Sequence, residues 1–279
     1  MAQQGEQAPG SGWYPDPWEA ADLRWWDGAS WSPAVATLPP VPEPPERTLP
    51  IGAFWFAVVA SIALVAGTRI VIQNTGNVLS TRLDHEVLQW VFYVVLYGGL
   101  FLVVRSACRR FGSGSLRDDL GARSRWSDLG FGPVLFVGAR VAQVVVTLPL
   151  LLGAAAIRNS SKRYAHIERV QSTSSLLTLA VVGILVAPVV EELLFRGVIQ
   201  RSLITTVGSK RAAVIQGVLF GLYHFAPFLG LYNLLLLTAN SVFGIIFGFV
   251  ARRRRTLGTG MIAHALTNAS VVLVILSQR

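Results

Sequence analysis

Long, uninterrupted apolar runs constrain this chain more than any other feature. A run of about 20 apolar residues, folded as a helix, can cross the hydrocarbon core of a bilayer. The mean hydropathy of +0.52 and a charged fraction of only 14% agree with such a protein. We therefore predict an all-α polytopic membrane protein with about seven transmembrane helices, the fifth of them short. These spans lie at Ile51–Ile72, Val87–Val104, Phe131–Ile157, Leu176–Ile199, Ala212–Phe225, Leu229–Val250 and Gly260–Leu276.

The charge balance bears on topology. The chain has 24 Lys and Arg against 15 Asp and Glu, a net charge of +9, and most of the basic residues lie in short loops between predicted spans. The positive-inside rule then places the even-numbered loops and the N-terminus in the cytoplasm of a multi-pass cell-membrane protein. The partner implied is the lipid bilayer, and no nucleic acid is expected. The third loop departs from the rule, because four basic residues would face outside: Arg158, Lys162, Arg163 and Arg169.

Residues 1–36 form a separate module. Five of the eight tryptophans lie here, and the turn signals Pro15-Asp16-Pro17 and Asp27-Gly28 flank short aromatic stretches. We predict a small β-rich soluble module, either a hairpin or a three-stranded sheet, with stacked Trp rings as its core. Residues 37–50, rich in proline, form a stiff linker to the transmembrane domain at 51–279.

Two signatures in this module stand intact. They are Gly12-Trp-Tyr-Pro-Asp-Pro17 and Arg24-Trp-Trp-Asp-Gly-Ala-Ser-Trp31. They resemble a short domain of unknown function found at the ends of many actinobacterial membrane proteins. The resemblance implies an architecture and no activity. Its aromatic residues either only pack together or offer a face to a protein partner.

Two carboxylates and an arginine interrupt the fourth span. Each charged side chain at mid-membrane costs roughly 2.5–3.5 kcal/mol on insertion scales, so intramembrane charges mark candidate functional sites. Glu192 and Arg196 are four residues apart on one helix face and can pair, whereas Glu191 is turned by about 100°. One glutamate is then neutralised and the other is free for chemistry. The structural alternative is a buried ion pair that holds helices together.

Four more polar residues within spans are candidate site residues: His224, Asn240, His264 and Asn268. His264 and Asn268 share a helix face. In a hydrolase, Glu191 could take a proton from water, and His224 could share that water or pass the proton on. His264 and Asn268 could donate hydrogen bonds to the oxyanion. Two histidines with a carboxylate are also a catalytic zinc set, so Glu191, His224 and His264 could hold a divalent metal. A metal would have to be bridged across helices, because the sequence has no His-Glu-x-x-His.

Three motifs in order resemble those of the CAAX-protease and bacteriocin-processing (CPBP, or Abi) family of intramembrane proteases. They are Glu191-Glu192-x-x-x-Arg196, Phe220-x-x-x-His224 and His264-x-x-x-Asn268, and the resemblance covers about residues 173–278. It implies a helical bundle with a cavity that opens toward the cytoplasm.

The resemblance also implies roles. Glu191 would be the water-activating base with His224 its partner, His264 and Asn268 would form the oxyanion site, and Glu192 and Arg196 would support them. Members resemble either metal-free glutamate proteases or metalloproteases. Eukaryotic relatives cut prenylated C-termini. For this chain, analogy favours processing of a bacteriocin or other peptide, self-immunity, or cleavage of a membrane protein.

Two other function classes remain open from the sequence alone. One is a non-catalytic immunity or scaffold protein, in which the polar residues serve packing or partner binding. The other is a proton-coupled transporter, since Glu and His also relay protons across membranes. The sequence shows no repeated half that would favour a transporter.

Glycines spaced four apart occur in the fifth and sixth predicted spans. They are Gly217 and Gly221 in the fifth, and Gly244 and Gly248 in the sixth. Such spacing lets helices approach closely, so it predicts tight packing and carries no chemistry.

Overall fold

The structure, a computed structural model, describes residues 10–38, 47–79, 85–156, 173–225 and 232–277. The chain divides into two compact units, residues 1–45 and 46–279. The basic residues of the predicted third loop and most of the proline-rich linker lie outside the described residues. Within the described end of the predicted linker, Leu49 is buried in the core of the second unit.

The first unit contains a three-stranded antiparallel sheet, one of the two forms predicted. Strands β1 (Gly12–Pro15), β2 (Leu23–Trp26) and β3 (Trp31–Ala36) pair in the order β1-β2-β3. At the turn between β2 and β3, Gly28 has a positive φ of 104°, and the Asp27 carboxylate accepts the Ala29 and Ser30 N–H groups. The tryptophans meet edge to face rather than stacked, with ring centroids 5.2 Å apart for Trp26 and Trp31. The ring quadrupole favours this geometry.

Asp16 makes the sheet sensitive to acid. Its carboxylate accepts hydrogen bonds from Arg24 Nε at 2.9 Å and from the backbone N–H groups of Trp18 and Ala21. The Arg24 hydrogen bond, helped by these N–H groups, lowers the pKa of Asp16 to about 2. The pKa of aspartate in an unfolded chain is near 3.9. As the pH falls, Asp16 is therefore protonated in the unfolded state before it is protonated in the folded state.

We expect the stability that Asp16 contributes to be complete above about pH 4 and to be lost as the pH falls through about 2. Tryptophan fluorescence of a polypeptide of residues 1–45, recorded during denaturation at several pH values, measures this change. An Asp16→Asn variant should show a flatter acid response. Equal pH dependence in both proteins would contradict the assignment.

The second unit is helical. Six helical segments in the described part of the chain are long and apolar enough to cross a membrane: Ile51–Thr68, Val87–Phe111, Asp128–Gly153, Leu176–Val207, Asn233–Arg254 and Gly258–Ser277. Its helices are α1 (Ile51–Leu79), α2 (His85–Phe111), α3 (Leu116–Leu120), α4 (Asp128–Ala156), α5 (Thr173–Ala180), α6 (Ala187–Glu192), α7 (Gln200–Val207), α8 (Ser209–Tyr223), α9 (Tyr232–Arg254) and α10 (Gly258–Ser277). The predicted count of seven spans is not confirmed. Helix α8, at the predicted fifth span, has 15 residues and is about 22 Å long, shorter than the ~30 Å hydrocarbon core.

Helices α5, α6 and α7 belong to one continuous helical run broken by two π segments. The first π segment is Val181–Val186 and the second is Leu193–Ile199. In each, a backbone N–H reaches five residues back, from Ala187 to Val182 O and from Gln200 to Phe195 O. Pro188 lies just after the first, and a proline ring and its missing N–H disrupt regular α-helical bonding. The diglutamate therefore lies on a short α-helical piece between two widened turns, which are frequent at functional sites.

The glycines of α8 and α9 face each other, as their spacing predicts. A Cβ atom at Gly244 would lie 2.7 Å from Gly217 Cα, so the two backbones are nearly in contact. The buried Gln216 on α8 strengthens this contact, because its Nε2 donates to Gly244 O at 2.7 Å. The buried Gln200 joins α7 to α9, because its Nε2 donates to Gly248 O at 2.9 Å.

We expect Gly217→Ala to lower the free energy of unfolding by about 1–3 kcal/mol, the usual effect of overpacking. Its Cβ would lie 2.5 Å from the Ile245 backbone nitrogen, which cannot move without shifting α9. Gly138 on α4 is the matched control, because nothing lies within 4 Å of its added Cβ. Gly138→Ala should be neutral or stabilising by up to about 1 kcal/mol. Denaturant titration in detergent measures both, and equal effects would contradict the close approach.

The second, fourth and sixth predicted loops gather at one end of the bundle. The Leu257 N–H donates to Gly121 O at 3.1 Å, and the Gly258 N–H donates to Arg123 O at 3.2 Å. Arg201 NH1 reaches Arg47 O at 3.0 Å and Asp119 O at 3.4 Å. This end also holds the start of α4, where Asp128 pairs with Arg254 at 3.1 Å. The arginine-rich loops therefore share an end, as the positive-inside argument requires.

Candidate active site

The diglutamate lies in the interior of the bundle. Glu191 and Glu192 end α6, and their exposed fractions are 3% and 0%, while Arg196 in the second π segment is 1% exposed. Such groups are almost never fully buried unless they are paired. Their partners decide what each can do.

Glu192 forms the predicted ion pair with Arg196. Arg196 NH1 lies 3.0 Å from Glu192 Oε1, and both side chains are fully buried. The guanidinium carbon also lies over three aromatic rings, at 4.5 Å from Phe220, 5.4 Å from Phe247 and 5.8 Å from Phe243. Cation–π attraction is strong at such a desolvated site. The pair is thus held in an aromatic cage, with neither partner open to solvent.

Glu191 has different partners. The Tyr97 hydroxyl on α2 donates to Glu191 Oε1 at 3.0 Å. Glu191 Oε2 is buried, has no hydrogen-bond partner among the described residues, and lies 3.8 Å from His264 Nε2. One carboxylate oxygen is therefore fixed and the other is available to an incoming donor.

His264 joins the two glutamates. Its Nδ1 lies 3.4 Å from Glu192 Oε1, while its Nε2 faces Glu191. The ring packs edge to face on Phe243, with centroids 5.0 Å apart. These contacts fix the plane of the imidazole ring. His264 therefore cannot turn away from the two carboxylates unless the aromatic side chains around it repack.

Asn268 lies one turn beyond His264 on α10. Its Nδ2 donates to Gly183 O in the first π segment at 2.6 Å. An amide nitrogen carries two N–H groups, and the second has no partner among the described residues. The widened turn therefore orients the amide through one N–H and leaves the other for a ligand.

His224 ends α8 rather than lying within it. It is the C-cap residue, half buried, and its Nδ1 lies 2.8 Å from Phe220 O. A carbonyl oxygen only accepts, so Nδ1 carries a hydrogen, and in the neutral ring Nε2 carries a lone pair. His224 makes no hydrogen bond or ion pair with Glu191 within the described ranges. The two side chains meet only through the cavity that both line.

A cavity of about 380 Å³ brings the predicted residues together. The four candidate catalytic residues line it: Glu191, His224, His264 and Asn268. Asn240 also lines it, and its Nδ2 donates to Leu236 O at 2.8 Å. Its other walls are mainly apolar and aromatic. This volume is within the range of small-ligand sites and can hold a short stretch of peptide.

Sequence reasoning missed three polar residues of the cavity wall. Arg140 and Gln143 on α4, and Tyr97 on α2, all line it. An arginine in the middle of an apolar run is a functional signal by itself, so Arg140 could have been found from the sequence. Tyr97 carried no such signal, because it stands 94 residues from Glu191 and tyrosine is common in transmembrane helices.

The predicted metal ligands, Glu191, His224 and His264, all line the cavity. Among the described residues, no group of three or more His, Cys, Asp or Glu side chains is arranged to hold a metal ion. Glu191, His224 and His264 share the cavity wall, but Glu191 Oε1 is bonded to Tyr97 and His264 Nδ1 is directed at Glu192.

Comparison with known proteins gives a family match in each of the two units. Residues 173–270 match the family described as "Type II CAAX prenyl endopeptidase Rce1-like". The matched segment contains all three motifs. The resemblance seen in the motifs is confirmed. Residues 11–46 match a family described as "Protein of unknown function (DUF2510)".

A curated relative extends the similarity beyond this segment. The chain is 25% identical over 230 residues to "Putative membrane peptidase YdiL" of Bacillus subtilis (strain 168), covering 79% of this chain and 88% of the relative. No solved structure gives a significant match. Together with the six apolar helices, the Rce1-like match and this relative support a CAAX-type intramembrane peptidase in a multi-pass membrane protein.

Proposed function

We propose that this protein is an intramembrane endopeptidase in which Glu191 activates a water molecule for attack on a peptide bond. The observation that carries the proposal is the difference between two adjacent buried glutamates. Glu192 forms an ion pair with Arg196 at 3.0 Å, whereas Glu191 pairs with no Arg or Lys among the described residues and lines the cavity. Packing alone requires the first glutamate and not the second.

The first step needs a base and a positioned water. Glu191 Oε2 takes a proton from water as the oxygen forms a bond to the scissile carbonyl carbon. Tyr97 holds the other carboxylate oxygen, and the Nε2 lone pair of His224 is free to accept the second hydrogen of the water. The attacking oxygen is then aligned from two sides.

The second requirement is stabilisation of the oxyanion. The second N–H of the Asn268 amide can donate to the oxyanion, because the bond to Gly183 O holds the amide in a fixed orientation. His264 beside it reaches the same part of the cavity. Removal of one such donor from other hydrolases lowers the rate by 10²–10³-fold. Collapse of the tetrahedral intermediate breaks the C–N bond, and the proton held by Glu191 passes to the leaving amine.

The site lies nearer one end of the bundle than the other. His264 follows Gly258 by six residues, about 9 Å along a helix, at the end where the arginine-rich loops gather. If the positive-inside rule holds, this end is cytoplasmic and the peptide bond is cut near the cytoplasmic leaflet. The substrate is then a peptide or the membrane-adjacent segment of a protein, as in processing of a bacteriocin or other peptide, or in self-immunity.

Incubation of the purified protein in detergent with a mixed peptide library, read by mass spectrometry, tests the proposal. We expect defined cleavage products from the wild type, none from Glu191→Gln, and unchanged products when a strong chelator is present. Loss of cleavage with the chelator would move the proposal to a metal held by Glu191, His224 and His264. No cleavage by the wild type across the library would contradict an endopeptidase and favour an immunity or scaffold role.

A further inference from the structure

Arg140 is a charged group in the cavity that the proposed mechanism does not use. It lies near the middle of α4, where a charge costs roughly 2.5–3.5 kcal/mol to insert. Its hydrogen bonds go only to neutral acceptors: Gln143 Oε1 at 3.3 Å, Thr267 O at 3.3 Å and Ser270 Oγ at 2.6 Å. Within the described ranges, no carboxylate pairs with it. The cavity therefore contains a cation whose charge the protein does not neutralise there.

The position of Arg140 relative to the catalytic residues follows from the packing of α4 on α10. The two helices run side by side in the same direction, because residues further along α4 contact residues further along α10. Near the start of both helices, Asp128 Oδ1 accepts from Thr259, and a Cβ at Gly132 would touch Ile262. Further along, Arg140 reaches Thr267 and Ser270. Arg140 thus lies three to six residues beyond His264 along α10, or about 5–9 Å.

This distance corresponds to about two or three residues of extended peptide, at 3.3–3.6 Å each. We propose, resting on the proposed function, that Arg140 binds a carboxylate of the substrate peptide about two or three residues from the scissile bond. A guanidinium forms paired, charge-assisted hydrogen bonds with a carboxylate, and these are strong in a desolvated site. The carboxylate is either the free C-terminus of the peptide or an Asp or Glu side chain.

Gln143 supports this position of the guanidinium. Its Oε1 accepts from Arg140, and its Nε2 donates to Ala239 O on α9 at 2.9 Å. Gln143 therefore links the Arg140 side chain on α4 to the α9 backbone. This contact restricts the Arg140 side chain before a substrate binds, so less conformational entropy is lost on binding. Arg140 is a substrate-binding residue that selects substrates, with no role in the bond-breaking steps.

A binding experiment on the full chain separates the two sources of carboxylate. Non-cleaving Glu191→Gln protein in detergent is equilibrated with three peptide sets of matched apolar sequences. The first has a free C-terminal carboxylate, the second a C-terminal amide, and the third an amide with one internal Asp or Glu. Mass spectrometry counts the peptides retained. We expect the first or the third set to exceed the second by about tenfold or more.

Arg140→Gln, made in the same background, should abolish that preference, while Arg253→Gln should leave it intact. Arg253 is exposed at the end of α9 and provides a matched loss of charge outside the cavity. A purely structural role for Arg140 would lower retention of all three sets equally. Equal retention of the sets by the parent, no retention of any, or a preference that survives Arg140→Gln would overturn the proposal.

Wild-type cleavage of the library distinguishes failure of this inference from failure of the proposed function. Cleavage without a carboxylate preference would retain the peptidase and remove the Arg140 subsite. An Arg140-dependent carboxylate preference without cleavage would retain the subsite and remove the peptidase.

Discussion

A Glu191→Gln protein is expected to fold as the wild type does and to lose about 10²–10⁴-fold in kcat/KM, the usual contribution of a general base. The amide oxygen of glutamine can still accept the Tyr97 hydroxyl, so the bond at 3.0 Å is kept. The amide cannot take a proton from water, so only the chemistry is removed. Rates on the best-cleaved library peptide, with thermal unfolding in the same detergent, measure both properties.

Tyr97→Phe is the control for geometry. It removes the donor to Glu191 Oε1 but leaves the carboxylate, so its loss of rate should be clearly smaller than that of Glu191→Gln. A Glu191→Gln protein that cleaves at the wild-type rate would show that this carboxylate is not the base. A Glu191→Gln protein that fails to fold would instead make Glu191 a structural residue.

Glu192→Gln is expected to lower the free energy of unfolding by about 3–5 kcal/mol, the usual effect of breaking a buried ion pair. The substitution keeps the volume of the side chain but removes the carboxylate at 3.0 Å from the buried Arg196 charge. The neighbouring Glu191→Gln change should have little effect on stability. Denaturant titration in detergent compares the two variants, which differ by one position in the chain.

The double variant Glu192→Gln with Arg196→Met separates an unpaired charge from lost contacts. Replacing both partners of a buried ion pair by neutral groups of similar size is often nearly neutral. We therefore expect the double variant to recover most of the stability lost in Glu192→Gln. A double variant less stable than Glu192→Gln would mean that Arg196 stabilises the bundle mainly by packing.

Local periodicity accounts for the parts of the site that the sequence predicted. The Glu192–Arg196 pair and the His264/Asn268 face depend only on residues four apart on one helix, a relation that holds in any α-helix or slightly widened turn. The glycine spacing of α8 and α9 predicted their close contact in the same way. The three motifs then indicated which helices contribute to one site.

Helix ends were less predictable. The apolar run that predicted a fifth span continues through Phe225, but α8 ends at Tyr223 with His224 as its cap. An apolar residue is equally acceptable inside a helix or just after it. The sequence indicated a short fifth span, but hydropathy did not reveal that His224 caps this helix and is held by the Phe220 carbonyl.

The sequence by itself determined the membrane-protein class, the β-rich N-terminal module and the identity of the charged and polar residues of the site, because composition and periodicity are properties of nearby residues. Only the tertiary structure decided which side chains from other helices contact each glutamate. Those contacts come from Tyr97, 94 residues away from Glu191, and from His264, 72 residues away from Glu192. Arg140 likewise meets α10 across 127 residues or more. Such contacts depend on which helices are neighbours and how they are rotated, and helical periodicity within one segment does not specify either.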